Sequence, residues 1–261
     1  MSDIKEFFEE NGHYHARGVY TGAELLELEQ DFDRIVAHLS TSGEDVQGRW
    51  RGEALKKIEQ GMETRIIHTH NVQKYSARWM QAMLQSDMLD ITEQIIGPDI
   101  VLHHSKLFQK PAEKGSPFPM HQDWPYFPTE KDSMIAGIIH VSDATDEMGC
   151  LRVYPGSHKL GRLENASGQT DGPSALDDYP IEKAVPVECK AGDVVFFHYF
   201  TLHGSMPNRS NQTRKTVLFQ VHAGDDRIEE TEAGMAHVYE RLALRGFNHS
   251  MKRSVAAQVQ K

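Results

Sequence analysis

The sequence predicts a mainly β fold: a double-stranded β-helix core of the jelly-roll or cupin-like kind, flanked by N-terminal and C-terminal α-helices. Three observations lead to this expectation. From Ile100 onward the chain divides into short apolar segments separated by turns that contain glycine and proline, a pattern typical of an all-β sandwich or barrel. Residues 1–99 show helical periodicity instead. Residues 230–244 return to a helical pattern.

The N-terminal part reads as a helical layer that braces a sheet. Thr21 and Glu24 match the capping box that starts a helix, and Gly97-Pro98 stops the last helix of this part. The expected elements are a helix over 3–10, an extended piece over 14–20, a helix from Thr21, a polar loop over 40–61, and one or two helices over 76–96.

The core is expected to hold strands over 101–109, 120–123, 134–141, 151–154, 185–188, 194–198 and 216–222. We expect residues 1–261 to form one domain, with helical support at 1–99 and the jelly-roll core at 100–223. A C-terminal helix and a loose tail would occupy 224–261.

Composition excludes several function classes. The formal net charge of -10 argues against a nucleic-acid-binding protein, which would carry a basic stripe. Cys150 and Cys189 are the only cysteines, so a disulfide framework is not expected and both read as small buried hydrophobic residues. The chain has no apolar run of membrane-spanning length and its first residues are polar. We therefore expect a cytoplasmic monomer or homodimer that acts on a small molecule and binds neither nucleic acid nor membranes.

The motif His121-Gln122-Asp123 is the strongest indication of chemistry. If the backbone is extended there, the imidazole and the carboxylate point to the same face of a strand. With one more histidine they would form the 2-His-1-carboxylate triad of non-haem Fe(II) oxygenases. His203, followed by a glycine just past an apolar strand, is the preferred third ligand. The other downstream candidates are His140, His158, His198 and His222.

Together with the order of its other motifs, this pattern resembles the phytanoyl-CoA dioxygenase family of Fe(II)/2-oxoglutarate oxygenases. The resemblance rests on His121-Gln122-Asp123, on the run from Gly149 to His158, on the run from Gly192 to His198, and on His203-Gly204-Ser205 with Arg214. It implies an enzyme that uses Fe(II), 2-oxoglutarate and O2. The reaction it implies is hydroxylation or another oxidation of a C–H bond in a small or medium-sized metabolite, with release of succinate and CO2.

The resemblance also implies roles for individual residues. His121, Asp123 and His203 would bind iron. Arg214 would pair with the distal carboxylate of 2-oxoglutarate, and Ser205 would hydrogen-bond the same group. Lys110 either reaches the cosubstrate or is an exposed lysine at a strand end.

Aromatic residues beside the ligand motif are expected to exclude water and hold the substrate. We expect Trp124, Tyr126 and Phe127 on one wall of the pocket, with His104 and Phe108 opposite; the alternative is that they are ordinary core. Two other functions stay open. One is a catalytically silent jelly-roll binding protein, and the other is a cupin-like metalloenzyme that does not use 2-oxoglutarate.

Overall fold

The computed structural model describes residues 3–43, 45–46, 53–59, 61, 63–169, 174–232 and 239–252. Within that part of the chain, none of the helices combines the length and the apolar character needed to cross a bilayer.

Helices dominate the N-terminal part and strands the remainder. The α-helices are α1 (Asp3–Asn11), α2 (Gly22–Thr41), α3 (Glu53–Glu59), α4 (Ala77–Met83) and α5 (Ser86–Ile96). The strands are β1 (His13–Ala16), β2 (Ile67–His70), β3 (Ile100–Lys110), β4 (Phe118–His121), β5 (Ile135–His140), β6 (Leu151–Val153), β7 (Val185–Val187), β8 (Val194–His198), β9 (His203–Ser205), β10 (Arg214–Ala223) and β11 (Leu242–Arg245). Short 3₁₀ helices occupy Val72–Lys74, Trp124–Tyr126, Ser157–Leu160, Ala175–Asp178 and Ile181–Lys183.

The strands form two antiparallel sheets that face each other. The larger sheet has the order β1-β8-β5-β10-β3-β11, and β2 also pairs with β3. The smaller sheet has the order β4-β9-β6-β7. This arrangement confirms the predicted jelly-roll core.

Side-chain alternation along β10 divides the interior into two compartments. Val217, Phe219 and Val221 point outward and join the core beneath the helical layer. The alternate residues from Arg214 to Gln220 point between the sheets, where they line a cavity. The helices cover the outer face with fully buried side chains such as Phe32 and Trp79. The helical layer therefore packs on the outer face of the large sheet, and the inner face of that sheet lines the cavity.

Three predictions about local structure were wrong. The polar loop expected over 40–61 contains α3, because Leu55 and Ile58, one helical turn apart, are both buried. Thr21 is the N-cap of α2, but its side chain makes no capping hydrogen bond, so the predicted capping box is absent. Asp123 does not belong to a strand, since β4 ends at His121.

The C-terminal helix expected over 230–244 is also wrong at its end. Residues 233–238 lie outside the described part, but Leu242–Arg245 form a strand that pairs with β3. This strand pairs with the part of the β3 edge that β2 does not cover, so the backbone hydrogen-bonding groups of β3 are satisfied there. The tail expected over 252–261 lies outside the described residues beyond Lys252.

Candidate active site

Three side chains predicted to bind iron converge between the two sheets. His121 ends β4 and His203 begins β9, and the two are direct partners across the antiparallel pair. Asp123 Oδ1 lies 3.5 Å from His121 Nε2 and 3.8 Å from His203 Nε2. All three residues are buried. Their ligand atoms lie within 4.8 Å of one another, close enough for one ion.

The backbone that places Asp123 differs from the one expected. Asp123 has helical torsion angles (φ -84°, ψ -25°) and precedes the 3₁₀ helix Trp124–Tyr126. The chain therefore turns directly after His121, and this turn brings the carboxylate back beside the imidazole. Asp123 therefore joins the cluster through a turn and not, as expected, through a strand.

Hydrogen bonds fix the orientation of each of these side chains. His121 Nδ1 lies 2.8 Å from the carbonyl of Pro119, and His203 Nδ1 lies 2.9 Å from that of Thr201. A carbonyl accepts only, so the Nδ1 atoms carry the protons and the Nε2 lone pairs face the cluster. Asp123 Oδ2 accepts a hydrogen bond of 2.6 Å from Gln220 Nε2, which leaves Oδ1 to face the histidines.

Two imidazoles and one carboxylate are the donor set that suits Fe(II). Burial, followed by the neighbouring His121, lowers the pKa of His203 to about 4, so its imidazole is neutral at physiological pH, as a metal ligand must be. The residues present therefore fit the iron that the motif implies.

Three of the other four candidate histidines are engaged elsewhere. His198 Nε2 lies 2.9 Å from the Asp132 carbonyl, and its Nδ1 accepts from the Phe200 amide at 3.1 Å. His158 Nε2 lies 3.1 Å from the Glu9 carbonyl, and His222 Nδ1 lies 2.8 Å from that of Ala223. None of the three joins the cluster, which agrees with the choice of His203.

A second group with metal-ligand chemistry, His15, Cys189 and Asp193, has a structural explanation. Asp193 accepts hydrogen bonds from the amides of Gly18 and Lys190 at 2.8 and 2.9 Å and lies 2.8 Å from His15 Nε2. Burial raises the pKa of the Cys189 thiol, so it stays protonated. This group ties the N-terminal strand to the turn before β8.

At the other end of the space between the sheets lie two buried cations. Arg214, the first residue of β10, is the direct partner of Lys110, the last residue of β3. Lys110 is fully buried, so the interpretation as an exposed strand-end lysine was wrong. Lys110 Nζ donates to Ser205 Oγ at 2.7 Å and to the Met206 carbonyl at 2.8 Å.

Among the described residues, no carboxylate forms an ion pair with either cation. Arg214 Nη1 donates to the Gly149 carbonyl, but its Nε has no hydrogen-bond partner there. Burial lowers the pKa of Arg214 to about 10. Burial, followed by the charge of Arg214, lowers the pKa of Lys110 well below its ordinary value. Two desolvated cations without a counter-ion are costly, and an anion bound beside them would offset that cost.

Gly149 shapes this cationic end. Its φ of +68° favours glycine, and a Cβ at this position would collide with the Met206 carbonyl oxygen. The glycine therefore lets the backbone approach β9 closely enough for its carbonyl to accept from Arg214.

One cavity of about 320 Å³ joins the candidate iron ligands to the cationic end. Besides His121, Asp123, His203, Ser205 and Arg214, its walls are formed by His68, His70, Lys106, Phe108, Phe118, Tyr126, Phe127, Ile138, His140, Leu151, Gln169, Phe197, Gly204, Thr216, Leu218 and Gln220. A ligand can therefore contact both ends at once.

The predicted aromatic wall is partly present. Phe108, Tyr126 and Phe127 line the cavity, but Trp124 and His104 do not. The 3₁₀ turn carries Trp124 away from the cavity, and its ring lies 5.3 Å from the Arg162 guanidinium carbon. His104 is buried with its Nδ1 2.6 Å from that of His103, and its ring packs edge-on against Phe127 at 5.4 Å.

Several lining residues escaped the sequence analysis. His68 and His70 lie on β2, a strand that was not predicted. Lys106 shares a face of β3 with Phe108 and Lys110, so strand alternation could have identified it. Gln220 is distant in sequence from Asp123, and only the fold shows their contact.

Comparisons with known proteins agree with these observations. The model of the phytanoyl-CoA dioxygenase (PhyH) family matches residues 8–216. Human peroxisomal phytanoyl-CoA dioxygenase is 25% identical over 257 residues, which cover 90% of this chain and 75% of the human protein. A probable alpha-ketoglutarate-dependent hypophosphite dioxygenase of Stutzerimonas stutzeri is 31% identical over 148 residues, 53% of this chain and 50% of that protein.

Solved structures share the fold. The epimerase SnoN, crystallised with Fe3+, alpha ketoglutarate and nogalamycin RO, superposes with a TM-score of 0.72 at 18% identity, over 97% of this chain and 92% of that one. The carbocyclase SnoK from nogalamycin biosynthesis gives a TM-score of 0.73 at 19% identity, with 94% of each chain covered. Since the family model spans most of its length, the chain belongs to the phytanoyl-CoA dioxygenase family, and the predicted class, a dioxygenase that uses Fe(II), 2-oxoglutarate and O2, is confirmed with it.

Proposed function

We propose that this protein hydroxylates, or otherwise oxidises, a C–H bond of a small metabolite while 2-oxoglutarate is converted to succinate and CO2. The observation that carries the proposal is the buried Arg214, which lines the same cavity as two histidines and a carboxylate. Lys110 is its direct strand partner, and among the described residues no carboxylate pairs with either cation. This arrangement suits an acid that can contact both a metal ion and a buried cation. 2-Oxoglutarate has a carboxylate at each end and can do so.

In this proposal His121, Asp123 and His203 would hold Fe(II). Bound iron would supply the redox chemistry that couples reduction of O2 to oxidation of 2-oxoglutarate and substrate. Gln220 orients the Asp123 carboxylate through its 2.6 Å hydrogen bond. The two backbone carbonyls at Nδ1 keep the imidazoles in the tautomer that ligation needs.

Arg214 and Ser205 bind the distal carboxylate of 2-oxoglutarate. The planar guanidinium matches a carboxylate with two parallel hydrogen bonds. Lys110 acts from behind Ser205: it holds the hydroxyl at 2.7 Å and adds a second positive charge. His140, which lines the cavity and is neutral because burial and then Arg214 lower its pKa to about 3, adds a polar wall without competing charge.

Phe108, Tyr126 and Phe127 exclude water from the reacting centre. Tyr126 is held in place by donating to the Ser167 carbonyl and accepting from Gln169 Nε2, both at 2.7 Å. An apolar enclosure strengthens the electrostatic interactions inside it and protects reactive species from side reactions. Trp124 and His104 support this wall from behind instead of lining it.

A cavity of about 320 Å³ is at the lower end of the range for ligand sites, and 2-oxoglutarate must share it. A small substrate is therefore proposed. We also propose that residues 1–261 act as one cytoplasmic domain, a monomer or homodimer, and that the net charge of -10 keeps it from nucleic acid.

The test is uncoupled turnover. Purified protein given Fe(II), ascorbate and 2-oxoglutarate should release succinate in air without added substrate, and should release none without iron. A protein that binds iron but forms no succinate under any of these conditions would instead be the silent binding protein. Iron-dependent turnover of a substrate without 2-oxoglutarate would indicate the cupin-like alternative.

A further inference from the structure

Building on the proposed function, we propose that Lys106 and His68, with His70 at the rim, bind an anionic group of the substrate. The group would be a compact carboxylate or phosphate, held on the iron side of the cavity.

The position of Lys106 separates it from the cosubstrate cations. Lys106 is the direct partner of Leu218 on β10 and of His70 on β2. Arg214 lies four residues before Leu218 on β10, a distance of roughly 13 Å along the strand. Gln220, which contacts Asp123, lies two residues beyond Leu218. Lys106 therefore faces the end of the cavity that holds the candidate iron ligands.

Within the part of the chain that the structure describes, Lys106 forms no ion pair that would explain its position. Among the described residues, no carboxylate lies within ion-pair distance of its ammonium group. Asp123, which acts on it only through space, is the one acid among the described residues that line the cavity. If Asp123 held Fe(II), the two charges of the ion would outweigh that of the carboxylate, and the ammonium group would lie beside a net positive charge.

The neighbouring strand supplies hydrogen-bond donors to the same spot. His68 and His70 are two residues apart on β2, so both point into the cavity. The His68 side chain is partly exposed and lines the same cavity as Lys106. Burial lowers the pKa of His68, so this imidazole is a neutral donor and Lys106 supplies the charge. A lysine with a polar donor beside it is a common way to hold an oxyanion.

The cavity contrasts in charge with the whole chain. The protein carries a net charge of -10, yet the described lining includes Lys106 and Arg214 against Asp123 alone. With Fe(II) and the 2-oxoglutarate dianion bound, the charges of the ion, Asp123, Arg214 and Lys106 would still sum to a net positive charge. An anionic substrate would complete the balance, whereas a neutral one would leave that positive charge without a counter-ion.

The test uses matched pairs of small probes. Each carboxylate is paired with its primary amide, and each phosphate monoester with its alcohol. Binding is measured by calorimetry without O2, on protein saturated with 2-oxoglutarate and Mn(II) so that the Arg214 end is filled. We expect wild type to bind acids at least about tenfold more tightly than their neutral partners, which corresponds to ~1.4 kcal/mol. The probe series that shows the larger preference for the acid over its neutral partner identifies the anionic group as carboxylate or phosphate.

Lys106→Met keeps the length of the side chain and should lose this preference. Lys114→Met, which removes an exposed lysine outside the cavity, should keep it. Three results would each overturn the inference. They are equal binding of acids and their neutral partners, no binding of any acid, and a preference for acids that folded Lys106→Met keeps. Succinate release by wild type without substrate tests the proposed function separately. Succinate release without a preference for acids contradicts only the inference about Lys106. A preference for acids without succinate release contradicts only the proposed oxygenase function.

Discussion

Gln220 Nε2 donates a 2.6 Å hydrogen bond to Asp123 Oδ2 and thereby joins two residues 97 positions apart in the sequence. The amide fixes one carboxylate oxygen and leaves the other facing His121 and His203. Partners that orient a metal ligand in this way typically contribute 10–100-fold, as an order of magnitude, to metal affinity.

Gln220→Leu should therefore weaken Fe(II) binding by about 10–100-fold, because the Asp123 carboxylate loses its fixed orientation. Anaerobic titration with Fe(II) measures the change. Gln94→Leu, on the exposed side of α5, is the control and should bind iron as wild type does. Unchanged affinity in Gln220→Leu would show that the carboxylate is oriented by other contacts.

The choice of His203 over His198 can be tested with two alanine variants. His203→Ala should abolish stable iron binding, since it removes one of the two imidazoles of the cluster. His198→Ala removes hydrogen bonds to Asp132 and Phe200, so it should lower the melting temperature but keep the iron. Metal content after dialysis distinguishes them, and the reverse pattern would refute the assignment.

Lys110 should give the unliganded protein a distinctive pH dependence. Its pKa is lower in the folded state than in the unfolded chain, so the native state binds fewer protons in the window between the two values. Stability should therefore rise with pH across that window, up to about 10.4 where the unfolded lysine titrates. Denaturant unfolding at several alkaline pH values measures this rise.

Saturating 2-oxoglutarate should flatten that rise, because a bound dianion raises the pKa of Lys110. Lys110→Met should show a smaller rise with or without 2-oxoglutarate. A slope that is identical in wild type and Lys110→Met would mean that other groups cause it.

Packing between β5 and β10 depends on the absence of a side chain at Gly137. A Cβ there would collide with the ring of Phe219. Gly137→Ala should destabilise the fold by about 1–3 kcal/mol, the usual cost of overpacking a core. Adding Phe219→Leu should recover part of the loss, so the two substitutions should be non-additive in chemical denaturation. Strict additivity would contradict the contact.

The sequence was sufficient for the parts of this protein that depend on local pattern. Short apolar segments predicted strands over 101–109 and 216–222, which in the structure extend to Lys110 and begin at Arg214. The order of the motifs pointed to His121, Asp123 and His203. The structure brings His121, Asp123, His203 and Arg214 to one cavity and places Lys110 beside Arg214, although their roles stay proposals. The strand β9 was not predicted, because its residues His203, Gly204 and Ser205 include no apolar side chain.

Features that depend on contacts across the fold could not be predicted in this way. Trp124 and Phe127 are both aromatic and three residues apart, but a 3₁₀ helix separates their directions, and only Phe127 lines the cavity. Lys110 resembles any lysine at the end of a strand until the fold buries it under β9. The last part of the helix predicted near the C-terminus is a strand in the structure, because it pairs with the edge of β3.

The most direct test of the account is a titration of 2-oxoglutarate against Arg214→Leu and Arg209→Leu. Arg214 is buried and faces the cavity, whereas Arg209 is exposed. Removing one partner of a buried charge pair costs roughly 3–5 kcal/mol. Arg214→Leu should therefore raise the 2-oxoglutarate requirement for uncoupled succinate release by about two to three orders of magnitude, with little change in iron affinity. Arg209→Leu should behave as wild type. A normal 2-oxoglutarate requirement in Arg214→Leu, or a crippled Arg209→Leu, would contradict the proposed cosubstrate site.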